Sequence, residues 1–139
     1  MKSFFNIILC ICILFSYSIR SEDIPYLLTA SSKGDIESVK AIIDSGGNPN
    51  TEDGNKVTAL MYASRKNQVE VARYLISKGA EVKKQKRNGG TALMYASKNN
   101  YSDMVELLIN NNADLKVTDS DGWTAYGLAA TSGNHQTLD

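Results

Sequence analysis

The residue types able to do covalent or metal chemistry are sparse in this chain. A nucleophile needs a base within reach, most often histidine. The sequence holds one histidine, His135, and two cysteines, Cys10 and Cys12, both inside an apolar run near the N-terminus. Zinc sites and cysteine or serine triads are therefore set aside, and His135 reads as a solvated surface residue. The carboxylate pairs Glu22-Asp23 and Glu52-Asp53 fall at N-terminal or turn positions, where a solvated charge is the ordinary reading. Gly46-Gly47 follows a helical pattern instead of opening one, which makes it a helix stop and not a phosphate cradle. No enzyme, cofactor or metal is expected, which puts binding first among the readings and an enzyme last.

The elements that would carry a binding surface are set by repetition. TALMYAS stands at Thr58 to Ser64 and again at Thr91 to Ser97, 33 positions later. The same step forward gives TAYGLAA at Thr124 to Ala130, and a step back gives PYLLTAS at Pro25 to Ser31. GDIESVKAIIDSGGNPN, NQVEVARYLISKGAEVK and NYSDMVELLINNNADLK keep the same register, while the fourth copy stops at Asp139. Self-similarity at a fixed period is the signature of a stacked repeat. The units run over about 20–52, 53–85 and 86–118, with a partial unit at 119–139.

Each unit reads as helix, turn, helix, hairpin. Thr58 and Thr91 are placed to cap the first helix, since a threonine hydroxyl can accept from its free N–H groups. Ala63 and Ala96 are small enough to let a neighbouring helix approach. Asn67 or Gly34 breaks that helix. The second follows with apolar residues at helical spacing: Ile36, Val39, Ile42 and Ile43, then Val69, Ala72, Leu75 and Ile76, then Val105, Leu108 and Ile109. Gly46, Gly79 or Asn112 ends it at the least cost for a left-handed residue. Asn88-Gly89 and Asp121-Gly122 are tight-hairpin pairs. Asn55-Lys56 lacks the glycine and predicts the most strained hairpin. A unit this small cannot cover its own apolar stripe, so units must stack on a shared core.

The period and the string DSDGWTAYGLAATSGN (Asp119 to Asn134) resemble the ankyrin repeat, with its pattern D-x-x-G-x-T-P-L-H-x-A-A-x-x-G. The resemblance covers nearly everything after residue 18. It implies an all-α solenoid of helix-turn-helix units joined by β-hairpin-like loops, three full repeats and a truncated fourth. Ala59, Ala92 and Ala125 replace the proline, and Met61, Met94 and Gly127 replace the histidine. Methionine fills the vacated space as a flexible apolar side chain. The resemblance further implies that another protein binds along the concave face, at hairpin tips and the exposed side of the first helices. Those positions are Asn55, Val57, Tyr62, Arg65 and Lys66 in the second unit, Arg87, Asn88, Tyr95 and Lys98 in the third, and Ser120, Asp121, Trp123 and Leu128 in the fourth. Tyr62, Arg65, Lys66, Arg87, Tyr95, Lys98 and Trp123 form the expected partner-binding set. The two tyrosines have the alternative of packing between first helices, whereas a tryptophan at a hairpin tip has no evident packing reason.

The first 21 residues do not share the repeat. Lys2, the run from Phe4 to Phe15 broken by Asn6, and Ser16 and Ser18 have the layout of a secretory signal peptide. The run is shorter than the roughly 20 apolar residues of a membrane span, although an uncleaved anchor has the same flanks. Cleavage is expected after Ser18 or after Ser21, leaving 19–139 as one ankyrin-repeat domain without a thiol. Lysine, asparagine and isoleucine usage suggests a bacterial source, hence a periplasmic or extracellular protein. Lys and Arg number 15, as do Asp and Glu, so the whole chain gives no electrostatic argument for nucleic acid or an acidic membrane. The basic run KKQKR (Lys83 to Arg87) reads as a solvated hairpin, with contact to an acidic partner as the alternative. The expected function is a protein-protein interaction module; the alternative is a periplasmic accessory or protective factor supporting an enzyme.

Overall fold

The computed structural model describes residues 25–132. The expected signal segment, both cysteines and His135 lie outside the described residues. Within them the chain forms seven helices: α1 (Tyr26–Lys33), α2 (Ile36–Asp44), α3 (Ala59–Arg65), α4 (Val69–Ser77), α5 (Ala92–Lys98), α6 (Ser102–Asn110) and α7 (Ala125–Thr131). Among the described residues there is no strand, only an isolated antiparallel bridge between Glu52 and Thr58. The all-α repeat fold is the one expected.

The helix boundaries follow from the caps. Thr58 Oγ1 accepts from the Met61 N–H at 3.3 Å and Thr91 Oγ1 from the Met94 N–H at 3.2 Å. Thr124 repeats the arrangement with Gly127 at 3.1 Å. Gly34, Asn67 and Asn100 close the first helices at φ 75°, 57° and 59°, and Gly46, Gly79 and Asn112 close the second at 101°, 97° and 68°. Glycine and asparagine enter this left-handed region with the smallest penalty. The stops therefore recur at each period.

First helices pack in sequence, α1 on α3, α3 on α5 and α5 on α7; second helices form a parallel series, α2 on α4 and α4 on α6. Ala30, Ala63, Ala96 and Ala129 recur every 33 residues and are all buried, which is how the first helices come close. Leu27, Leu60 and Leu93 form a second buried row, and Met61 and Met94 fill the positions beside it. The second helices bury more than one stripe. Val71 and Met104, outside the expected stripe, are fully covered because each second helix packs on its own first helix as well as on its neighbour. Ile109, expected in the core, is 36% exposed: no described second helix covers the far side of α6. Polar side chains tie successive units, with Gln68 Nε2 donating to the Ser32 carbonyl at 3.1 Å and Asn50 joining both Gly79 and Glu81.

Candidate functional site: the hairpin side of the stack

The hairpins are built on one residue each. In the second unit the Asp53 N–H donates to the Val57 carbonyl, and Asp53 Oδ1 accepts from the N–H groups of Asn55 at 2.8 Å and Val57 at 3.0 Å. In the fourth, Asp119 does the same with Trp123 and Asp121. Lys86 stands at this place in the third unit, where Asn88 Oδ1 takes the Gly90 N–H instead. The left-handed residue of each hairpin is Lys56 (φ 62°), Gly89 (φ 83°) and Gly122 (φ 81°), so the expected strain falls on Lys56. Neighbouring hairpins are joined by backbone: the Arg87 N–H donates to the Asn55 carbonyl at 3.0 Å and the Ser120 N–H to the Asn88 carbonyl at 2.7 Å. The tips consequently rise in register.

Replacing aspartate by Lys86 exchanges one contact to the tyrosine of the same unit for another. Tyr62 donates its hydroxyl to Asp53 Oδ2 at 2.8 Å, and Lys86 Nζ lies 5.3 Å from the centre of the Tyr95 ring, within cation–π range. Burial and the bond to Asp53 push the Tyr62 phenol up to about 12. Burial would raise Asp53, but the Val57 N–H, the Tyr62 hydroxyl, the Asn55 N–H and the Lys86 charge together hold it below the ordinary aspartate value. Both tyrosines are half-buried against the core, so they pack and present an edge at once. Beside them a shallow groove is lined by Lys86, Met94, Tyr95, Lys98, Asp119 and Leu128, among others.

Of the expected binding set, Arg65, Lys66, Arg87 and Lys98 are exposed and Tyr62 and Tyr95 are half-buried. Arg65 acts electrostatically on Tyr62, and Lys98 shares the groove with Tyr95. Trp123 is 43% exposed, and it does have a packing reason. Its ring covers Gly127, where a Cβ would meet Trp123 Cε3 at 3.1 Å. Val57 with Met61, Gly90 with Met94, and Trp123 with Gly127 are the same pair in three units, and a large side chain at one position goes with a small one at the other in the last. The run KKQKR is less solvated than expected: Lys84 pairs with Glu52 at 3.5 Å and Lys86 covers Tyr95, while Lys83 and Arg87 are exposed. Sequence reasoning missed the roles of Asp53 and Lys86. The signal for both was their shared place in the period.

Among the described residues no group of three or more His, Cys, Asp or Glu could hold a metal ion, and no helix is long and apolar enough to cross a membrane. Helix pairs stacked at a fixed period, with hairpin tips bonded in register along one side, define a helical-repeat solenoid. The chain belongs to the ankyrin-repeat family: comparison with known families matches it to Ankyrin repeats (3 copies) over residues 27–119 and again over 78–139. No curated protein matches it. Ankyrin repeats are generally protein-protein interaction modules.

Proposed function

We propose that the protein is an exported binding module that holds another protein against the hairpin tips and first helices, without catalysis of its own. The observation that carries this reading is the set of large exposed side chains on the hairpins and at the ends of the first helices of successive units, Arg65, Lys66, Arg87, Lys98 and Trp123, of which Arg65 and Lys98 hold equivalent places. Arginine and tryptophan contribute to binding out of proportion to their number. Export rests on the charged start and apolar run of residues 1–18, with the periplasm or the extracellular space as the destination. Placing a photo-crosslinking residue at position 87, and separately at position 73 on the opposite side, tests the face. A discrete protein adduct from position 87, competed by excess unlabelled protein and missing from position 73, is the expected result. Intact mass of the exported fraction tests the leader: a chain beginning at Ile19 or Glu22 is expected, and a full 15.2 kDa chain held in the membrane contradicts cleavage.

A further inference from the structure

The balanced total charge conceals a segregation by face. The charged residues of the first helices are Lys33, Arg65 and Lys98, all basic. The second helices carry Glu37, Asp44, Glu70, Asp103 and Glu106 against Lys40 and Arg73. Cations at helix C-termini complement the helix dipole, yet among the second helices only α4 has one there, Lys78 at its C-cap and paired with Asp44, and α2 ends in Asp44 itself. The dipole acts on both sets alike, so it does not account for the difference. Among the described residues no carboxylate lies within ion-pair distance of Arg65, Lys66 or Arg87, the ion pairs formed being Lys78 with Asp44 and Lys84 with Glu52. The nearby carboxylates are committed: Asp53 and Asp119 hold their own hairpins, and Glu52 holds Lys84. Asp121, at the fourth hairpin, is the exposed exception.

We infer that the partner presents an extended acidic segment, rich in aspartate and glutamate, to this face. Arg65 and Lys98, equivalent residues one unit apart, take its carboxylates; Lys66 and Arg87 flank them. The groove between Met94, Tyr95 and Leu128 accepts one apolar side chain of the segment and fixes its register. The inference rests on the proposed use of the hairpin side and adds the chemistry of the partner.

The probe is a fluorescein-labelled peptide of glutamates interrupted by two leucines, titrated with the full chain and followed by anisotropy. A twin with glutamine in place of glutamate is the comparison. Binding of the glutamate peptide is expected to be at least tenfold tighter. It should also fade as salt rises from about 0.01 M to about 1 M, which shortens the screening length from roughly 30 Å to roughly 3 Å. Arg65→Gln and Lys98→Gln, with unchanged thermal midpoints, should each weaken it about fivefold, the upper range for an exposed ion pair. Lys40→Gln and Arg73→Gln should leave it within about twofold. Equal binding of the two peptides overturns the inference, as do absence of binding up to about 1 mM, indifference to Arg65→Gln and Lys98→Gln, or equal affinity for duplex DNA or phosphatidylserine vesicles. Crosslinking from position 87 separates the cases: if it persists, the face is assigned and only the partner's chemistry falls; if it is lost too, the face falls with it.

Discussion

Single residues carry the irregularities of this stack, and each has a measurable cost. Lys56 holds a left-handed conformation that its equivalents Gly89 and Gly122 adopt freely. Lys56→Gly should raise stability by about 1 kcal/mol, the low end of the left-handed penalty, as an increased urea midpoint at unchanged slope. Gly89→Ala should lower it by more, because the added Cβ would also meet the backbone of Asp119 and Thr118 at 3.0 Å. The Asp53–Tyr62 pair predicts two pH limbs. Tyr62 is raised to about 12 in the folded state from an ordinary 10.0, so its contribution is whole below pH 10 and lost as pH rises through 12. Asp53 is held below 3.8; its contribution is present above that value and disappears as pH falls below it. Thermal midpoints of wild type and Tyr62→Phe should converge on the alkaline limb, and those of wild type and Asp53→Asn on the acid limb. The strain at Lys56 was legible as a missing glycine. The Lys86–Tyr95 contact was not, because the position reads as one more lysine in a basic run until the hairpin folds it over the ring of its own unit.

Helices and hairpins were the most legible level, since caps and stops depend on neighbours in sequence. Thr91→Ala removes the cap of α5 and should cost about 1 kcal/mol, read from the urea transition. The hydrophobic stripes were legible only in part. Val71 and Met104 are buried by contact with a second neighbour, and Ile109 is exposed for want of one; both depend on what stacks where, which periodicity within one helix does not encode. The Trp123–Gly127 pair illustrates the same limit. Each residue looks anomalous alone, a tryptophan at a tip and a glycine inside a helix, and together they fill the space that Val57 and Met61 fill in the second unit. Gly127→Met should therefore displace the tryptophan and destabilise the domain, while Trp123→Val with Gly127→Met should recover most of the loss. A double-mutant cycle with no coupling between the two positions would contradict the exchange.

At the scale of the whole molecule, the stack turns a short sequence pattern into two unlike faces. One is made of second helices that are mostly acidic; the other is made of first helices whose charges are all basic, beside hairpins that carry both signs. Net charge cannot reveal this, because 15 basic and 15 acidic residues cancel in the sum and separate only when 33-residue units are aligned in space. The hairpin side is the proposed working surface. Its most direct test is the affinity of the protein crosslinked from position 87 for four variants of the full chain. Arg65→Ala and Arg87→Ala should each weaken binding about tenfold, close to 1.4 kcal/mol, with thermal midpoints intact, while Lys40→Ala and Arg73→Ala should bind as the wild type does. Loss of binding in Lys40→Ala and Arg73→Ala, with full affinity kept in Arg65→Ala and Arg87→Ala, would place the surface on the second helices and contradict the account.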